Sequence, residues 1–254
     1  MKRIHSHEHG LSLIELLIAL AISSLLVLGI VQIYIDNRSN YLFQQGQSDN
    51  NENARYMMLI LEEELRRVGY RIDPGIDLKD VFKPETAGLC SFVSGEVINY
   101  NAVAKRICLR YKPHLPDISA CDGIARNTAT APYLGGEPID NIVVDLDFFS
   151  DELRCNGQPI VSGLVDFQLE FGINPDPYKR QTGEFTLNPA GNTIYSVRYA
   201  ALIKSRYENL AEDTNNLVYE RWYSDRYDTA GLSAPDRALY LATENTVTLR
   251  NVSR

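Results

Sequence analysis

The architecture of this chain of 254 residues follows from one stretch, Gly10-Leu11-Ser12-Leu13-Ile14-Glu15-Leu16-Leu17. From Leu16 to Ile35, twenty residues pass without a charged side chain. A helix of about 20 apolar residues is long enough to cross the hydrocarbon core of a bilayer. Glu15 places one carboxylate near the start of this helix, where burial in a membrane costs about 2.5–3.5 kcal/mol or more. A charge that costly at this position indicates a function.

Two interpretations of this segment apply to many secreted and membrane proteins. An ordinary cleaved signal peptide would use Lys2 and Arg3 as its basic region and Ala19-Leu20-Ala21, which resembles a small-residue cleavage site, as the place of cleavage. Its apolar run, however, is interrupted by Glu15 and continues past that site to Ile35. A plain signal anchor fits the length and keeps the basic residues in the cytoplasm, but it leaves Glu15 unexplained.

The third interpretation is a prepilin signal. Residues 10–17 strongly resemble the N-terminus of type IV pilins, with leucine at the position that is usually aromatic. The resemblance implies cleavage between Gly10 and Leu11, N-methylation of Leu11, and Glu15 as the fifth mature residue. The new Leu11 ammonium would meet the Glu15 carboxylate of a neighbouring subunit, which offsets part of the desolvation of both charges. The alternative is a Glu15 that is simply protonated in the bilayer.

Composition limits the remaining function classes. The chain is 44% hydrophobic and carries a net charge of −8, which fits one sizeable soluble domain besides the anchor. An acidic domain lacks the basic footprint of nucleic-acid binding, so we expect no nucleic-acid partner. Basic residues before the single span place the rest of the chain outside the cytoplasm.

Four cysteines agree with that oxidising location. Cys90, Cys108, Cys121 and Cys155 form no CxxC pair, which makes zinc and thioredoxin-type sites weak alternatives. Three disulfide pairings are open, and we favour Cys90–Cys108 with Cys121–Cys155 because these close the shortest loops. Two or more free, buried thiols are the alternative.

Patterns of catalytic residues are missing from the sequence. Three of the four histidines lie at positions 5, 7 and 9, where prepilin cleavage removes them, and only His114 is left. No HExxH, GxSxG, P-loop or GxGxxG pattern occurs. The acidic residues Asp73, Asp77 and Asp80 lack EF-hand spacing and are interpreted as loop charge. We therefore expect a protein that is not an enzyme and holds no metal or cofactor.

Proline and hydrophobic periodicity divide the chain. All eleven prolines fall at or after Pro74, so a long helix can occupy most of the preceding residues. We expect a leader over 1–10, a membrane or filament-core helix over 11–35, an amphipathic continuation over 36–69 with a break or a frayed turn near Gly46, and a β-rich domain over 70–254. The continuation has one face of helical spacing, formed by Met57, Ile60, Leu61, Glu64, Leu65 and Val68.

Beyond residue 70 the pattern changes to strands. Val165, Phe167, Leu169, Phe171 and Ile173 alternate with mostly polar residues, Asp166 among them, which is typical of a half-buried antiparallel strand. Similar runs occur at 106–111, 142–149, 193–203 and 246–252. The expected fold class is α+β, with a long N-terminal helix packed on an antiparallel β-sheet.

Further segments resemble the PilW family of type IV minor pilins, which is itself similar to the J-type pseudopilins of type II secretion. They are Ala54-Arg55-Tyr56 with Glu63-Glu64-Leu65-Arg66-Arg67-Val68-Gly69-Tyr70, residues 161–172, Ser196-Val197-Arg198 with residues 202–206, and Thr246-Val247-Thr248-Leu249-Arg250-Asn251. These segments span nearly the whole chain in order, and residues 71–160 match least.

The resemblance implies a minor pilin of the inner membrane with a periplasmic C-terminal domain. A prepilin peptidase would process it, and it would join other minor pilins, the major pilin and, in many systems, a tip adhesin in a priming complex at the pilus tip. The alternatives are a J-type pseudopilin and a tip subunit that binds a ligand or DNA directly. A signal-anchored periplasmic enzyme would need an uncut N-terminus and a catalytic cluster.

Overall fold

The structure is a computed structural model that describes residues 12–114, 118–126, 140–176, 178–189 and 191–252. It divides into two compact units, Met1–Gln45 and Gly46–Arg254. Helix α1 (Leu13–Arg67) contributes residues to both units.

Helix α1 passes through Gly46 without interruption, so the expected break there is wrong. The reason lies in packing, since a Cβ atom at Gly46 would stand 2.5 Å from Cδ1 of Leu210. Glycine is used here for the close approach of a side chain, at a cost of about 1 kcal/mol of helix propensity.

Within the first unit, α1 exposes large apolar side chains on all sides, including Leu13, Leu20 and Ile30. The helix is long and apolar enough to cross a membrane, and none of its most apolar window is buried within the chain. A helix that is apolar all round is stable in a lipid or protein environment and not in water.

In the second unit, α1 becomes amphipathic as predicted. Its buried residues include Met57, Leu61 and Leu65, and they join the main core with side chains from the sheets. Glu64 lies on the same face and is also buried. After the helix ends at Arg67, Gly69 takes a positive φ of 68°, which a residue without a Cβ adopts at little cost.

Two large antiparallel sheets form the second unit in the described residues, together with two small hairpins. A four-stranded sheet has the order β11-β10-β12-β13, and a five-stranded sheet has the order β3-β4-β7-β8-β9. The hairpins are β1-β2 and β5-β6. The strands are β1 (Glu85–Ala87), β2 (Cys90–Phe92), β3 (Ile98–Asn101), β4 (Arg106–Tyr111), β5 (Ile118–Ser119), β6 (Ala125–Arg126), β7 (Ile142–Phe149), β8 (Glu152–Cys155), β9 (Gln158–Ser162), β10 (Leu164–Ile173), β11 (Glu184–Thr186), β12 (Ser196–Lys204) and β13 (Tyr240–Thr248).

The predicted α+β class is confirmed, with the difference that two large sheets take the place of one. Predicted strands at 106–111 and 142–149 match β4 and β7 in both bounds. The predicted strand at 246–252 is displaced, because β13 occupies Tyr240–Thr248.

The four-stranded sheet is buried on both faces. Alternate residues of β12 enter different clusters: Tyr199 and Ala201 pack with α1 in the main core, whereas Ala200 and Leu202 pack with α3 (Leu217–Tyr227). Helix α3 was not predicted, and neither was the short helix α2 (Leu78–Val81). The covering of the second face by α3 explains why a predicted polar side of β10 is not exposed to solvent.

The start of β10 departs from the predicted alternation. A β-bulge lies between Leu164 and Asp166, and it moves Leu164 into the main core. Val165 packs with the α3 cluster instead, so its predicted place beside Phe167 is wrong. A bulge adds one residue to a strand and thereby shifts which side chains share a face.

Candidate functional site

Glu15 lies in the first turn of α1. The helix begins after Ser12, whose carbonyl accepts a hydrogen bond from Leu16 N–H at 3.1 Å. The backbone N–H of Ser12 points back to Oε2 of Glu15 at 3.4 Å. Serine followed three residues later by glutamate is the sequence pattern of a capping box, in which the two residues satisfy free N–H groups at the helix start. The sequence contained this signal, and the prediction for Glu15 did not use it.

Two serine hydroxyls within the apolar part of α1 are satisfied by the helix itself. The hydroxyls of Ser23 and Ser24 donate to the carbonyls of Ala19 and Ala21, at 2.7 and 2.8 Å. Such back-bonding hides a hydroxyl from an apolar environment. Glu15 is different, since it is exposed and no salt bridge reaches it from the described part of the chain.

The predicted cleavage and methylation site at Gly10 and Leu11 lies outside the described residues, as do Lys2 and Arg3. The structure therefore gives the geometry of Glu15 alone among the predicted processing and assembly residues.

Both predicted disulfides are present. Cys90 in β2 is bonded to Cys108 in β4 with a Cα–Cα distance of 5.6 Å, and Cys121 is bonded to Cys155 with a Cα–Cα distance of 5.9 Å. The alternative of free thiols is wrong. One group of possible metal ligands in the described residues combines Cys90 and Cys108 with Asp145. Because both sulfurs are used in a disulfide, neither can serve as a thiolate ligand.

His114 lies half-buried with its ring 5.8 Å from the ring of Tyr70. Burial and the nearby Arg67 guanidinium lower the pKa of its imidazole. The ring packs edge-to-face against an aromatic neighbour, which is a structural contact.

A buried carboxylate that the sequence placed on a solvated face ties three elements together. Asp166 in β10 accepts hydrogen bonds from Lys105 Nζ at 2.7 Å, Trp222 Nε1 at 2.8 Å and Tyr227 Oη at 2.7 Å. Lys105 precedes β4 of the five-stranded sheet, and the two aromatic residues belong to α3. The Asp166 carboxylate thus joins both sheets and the outer helix.

A second buried polar group, Arg110 in β4, organises the segment around the first disulfide. Its guanidinium lies over the rings of Phe82 and Phe92, at 5.4 and 4.6 Å from their centroids. It also donates to the carbonyls of Phe82, Lys83, Val93 and Glu96. Burial lowers the pKa of Arg110, which nevertheless keeps its charge because a guanidinium titrates far above neutral pH. The sequence offered no local signal for this role.

A third buried group belongs to the predicted amphipathic face of α1. Glu64 accepts a hydrogen bond from the Tyr111 hydroxyl at 2.9 Å and lies 3.3 Å from Nη1 of Arg67. Burial raises the pKa of Glu64 in spite of these partners. All three buried groups hold elements together through these hydrogen bonds and ion pairs.

Comparison with known proteins singles out the N-terminal segment. Residues 5–31 match the family model of the prokaryotic N-terminal methylation motif. No curated protein sequence matches the chain. Among solved structures, a type IV-like pilin from Thermus thermophilus is similar over 80% of this chain and 97% of its own length, with 12% identity and a TM-score of 0.43. The segment that holds Glu15 is therefore a prokaryotic N-terminal methylation motif.

Proposed function

We propose that this chain is a minor pilin that helps to prime the assembly of a type IV pilus as part of a tip complex. The observation that carries the proposal is the methylation motif over residues 5–31, with Glu15 in the first turn of an apolar helix. The role is structural. The chain waits in the inner membrane with its C-terminal domain in the periplasm and moves to the pilus on assembly.

Processing by a prepilin peptidase is the first step of this function. The peptidase cuts between Gly10 and Leu11, and the new N-terminus at Leu11 is methylated. Intact mass measurement and N-terminal sequencing of the mature protein test this step, with Gly10→Val as a variant that should retain its leader. We expect a chain that starts at Leu11 with one added methyl group. An intact Met1, or cleavage after Ala21, would refute the proposal.

Glu15 has two roles to separate: a local cap for its own helix, and a charge partner for the Leu11 ammonium of a neighbouring subunit. A helix cap is worth about 1 kcal/mol. Leaving a buried charge without its partner costs about 3–5 kcal/mol. The charge role therefore dominates if the neighbour's ammonium is buried against Glu15.

A pair of variants distinguishes these roles. Glu15→Gln keeps an acceptor that serves in a capping box but removes the charge, whereas Glu15→Ala removes both. We expect both variants to be processed yet to enter sheared pili poorly, and to a similar degree. If the glutamine variant assembles like the wild type while the alanine variant does not, capping alone explains Glu15. Normal assembly of both variants would remove Glu15 from the mechanism.

The expected partners are other minor pilins, the major pilin and, as in many systems, a tip adhesin. The second candidate function, a J-type pseudopilin of type II secretion, is supported by the same N-terminal motif and by the similarity of J-type pseudopilins to the PilW family, which the later segments resemble. A deletion strain separates the two. Loss of pili and twitching favours the pilus, whereas intact pili with failed release of secreted proteins favours the pseudopilus.

A further inference from the structure

Strand β13 forms one edge of the four-stranded sheet. Its pairing with β12 runs from Ser196 opposite Thr248 to Lys204 opposite Tyr240, over nine residues without a register shift. No strand in the described residues pairs with the other side of β13. A long, regular edge of this kind exposes a row of backbone N–H and C=O groups.

The register shows which backbone groups face the open side. Leu249 N–H donates to the Tyr195 carbonyl at 2.8 Å, and Ser205 N–H donates to the Leu239 carbonyl at 2.9 Å, at the two ends of the same ladder. In an antiparallel pair, hydrogen-bonded and non-hydrogen-bonded positions alternate. Odd-numbered residues of β13 therefore bond to β12, and even-numbered residues, Ala242 and Glu244 among them, point their N–H and C=O groups outward.

Apart from the charged side chain of Glu244, this edge lacks the usual protection against pairing. Proteins blunt exposed edges with proline, lysine, bulges or very short strands. The five-stranded sheet has such devices in β9, which contains Pro159 and a register shift against β8. The opposite edge of the four-stranded sheet, β11, has only three residues. Residues 240–248 include neither proline nor lysine, and only the Thr246 N–H is covered, by the side chain of Asn245 at 2.8 Å.

A groove of about 710 Å³ runs beside this edge, between β13 and α1. Helix and strand follow the same direction there, since Asn50 bonds to Leu239 and Met58 contacts Thr243 at 2.9 Å. Leu59 lines the groove and is 53% exposed. A volume of this size lies within the range of about 300–1,000 Å³ that ligand-binding clefts occupy. A strand added to β13 would place alternate side chains in the groove.

The charged side chains that line the groove favour the binding of a partner's carboxylate at one end of the groove, beside Arg55. Glu62 pairs with Arg66, and Glu63 pairs with Arg67, which lies outside the groove. The charges on the part of the groove wall nearer the C-terminal end of α1 therefore neutralise one another. Arg55 lines the groove about two helical turns before Glu62 and has no ion pair in the described residues. The positions of the Asn50 and Met58 contacts place Arg55 beside the first residues of β13.

We propose that β13 accepts an extended strand of a partner protein, which pairs antiparallel with the outward backbone groups of Ala242 and Glu244. The partner strand has apolar side chains at alternate positions, which enter the groove beside Leu59, and an acidic residue near its C-terminal end, which meets Arg55. Main-chain pairing supplies affinity and the groove supplies specificity in this mode of recognition. The inference concerns the second unit alone and does not depend on pilus assembly.

A second copy of this chain is a poorer occupant. Symmetric pairing of two β13 strands about their centre would set Glu244 opposite Glu244. Like charges directly opposite on neighbouring strands are destabilising, and the ion pair of Glu244 with Arg226 at 2.9 Å offsets only part of this repulsion. A different chain with complementary charge avoids this repulsion.

A synthetic peptide tests the proposal on the full-length protein in detergent micelles. The probe is an acetylated nine-residue peptide with valine at alternate positions, threonine between them and aspartate at its C-terminal end. Calorimetry measures its affinity, and amide NMR follows its contacts. We expect saturable binding with slowed hydrogen exchange at the Ala242 and Glu244 amides. A peptide with N-methylated backbone at the pairing positions should not bind, and this control leaves the protein unchanged.

Variants of the protein give the second half of the test. Ala242→Pro removes an outward N–H at an edge position that tolerates proline, and it should weaken peptide binding about tenfold or more. Ala242→Val keeps the N–H and should bind like the wild type. Arg55→Glu should bind a lysine-terminated peptide better than the aspartate peptide.

Four outcomes would overturn the proposal. The first is an absence of peptide binding, and the second is equal binding of the N-methylated peptide, which would show an apolar contact without strand pairing. The third is protection at other amides in place of those of β13. The fourth is unchanged affinity in Ala242→Pro.

Discussion

Replacement of Asp166 by alanine is expected to lower the free energy of unfolding of the second unit by about 2–5 kcal/mol. The Asp166 side chain is 5% exposed and holds Lys105, Trp222 and Tyr227 at once. Alanine leaves all three donors without this acceptor, so the cost depends on how easily each donor finds water.

The three donors differ in their access to solvent. Trp222 is buried, and an unsatisfied buried donor costs about 1–3 kcal/mol. Tyr227 is partly exposed, so its hydroxyl can turn to water and loses about 0.5–1.5 kcal/mol. The Lys105 side chain is 47% exposed, and an ion pair of that kind contributes at most about 1 kcal/mol. The indole of Trp222 therefore carries the largest part of the effect.

Urea unfolding of the full chain in detergent, followed by the fluorescence of its single tryptophan, measures this loss. Lys105→Met is the matched control, because it removes only the exposed donor and should cost less than about 1 kcal/mol. A loss below about 1 kcal/mol for Asp166→Ala, or equal losses for the two variants, would refute the reasoning.

The same carboxylate predicts a pH dependence. Burial raises the pKa of Asp166, but the hydrogen bonds from Lys105, Trp222 and Tyr227 lower it by more, so the folded pKa lies below its ordinary value of 3.8. A depressed folded pKa gives stability that is present above the unfolded pKa and is lost as the pH falls through the folded pKa. Acid titration of stability below pH 3.8 should be shallower in Asp166→Ala than in the wild type.

Three further predictions concern the second unit. Arg110→Lys should cost about 3–5 kcal/mol in thermal or urea unfolding, since lysine cannot reproduce the fork that serves four carbonyls; a loss under about 1 kcal/mol would contradict this. Replacement of Cys121 and Cys155 by alanine should cost about 3–4 kcal/mol, slightly more than replacement of Cys90 and Cys108, because the sequence separations are 34 and 18 residues; urea unfolding of both double variants checks the order. Because burial raises the pKa of Glu64, its contribution to stability is fully present below the ordinary value of 4.5 and is lost as the pH rises through the folded pKa. Glu64→Gln should remove this decline while it keeps the hydrogen bond from Tyr111, and an unchanged decline would contradict the assignment.

Elements with a strong local period were predictable from the sequence. The face of α1 that contains Met57, Leu61 and Leu65 packs into the main core as its helical spacing predicts. The strands β4 and β7 match their predicted bounds because their ends coincide with loop-forming residues. Alternation also predicts the buried side of β10 from Phe167 onwards.

Elements that depend on distant partners were not predictable in the same way. Helix α3 buries only Tyr219 and Trp222 in eleven residues, so it shows little apolar period. Its local signal is the cap Asn216, whose Oδ1 accepts from the N–H groups of Val218 and Tyr219 at 3.0 and 3.1 Å. Because α3 was not predicted, the sequence indicates a solvent-exposed side chain for Asp166. The bulge before Asp166 was not predicted from the hydrophobic pattern either.

Strand β13 was displaced for a related reason. Its buried residues are Tyr240 and Val247, and the residues between them are half-buried or exposed. An edge strand receives neighbours on one side only, so its pattern of burial is weak. The apolar alternation at 246–252 was the stronger local signal, although it extends past the paired residues into the final turn.

The N-terminal site is readable from sequence because its unusual feature is local: a carboxylate in an apolar helix. The geometry of Glu15 also shows why capping and charge pairing are compatible. The distance of 3.4 Å between Glu15 Oε2 and Ser12 N is longer than the donor–acceptor distance of about 2.7–3.2 Å that is usual for such a hydrogen bond. A carboxylate has about four acceptor sites, so this contact occupies a small part of its capacity. The proposed ammonium of a neighbouring chain can therefore bind Glu15 without displacing the cap, and loss of the charge alone, as in Glu15→Gln, is the change that separates capping from the proposed charge pairing.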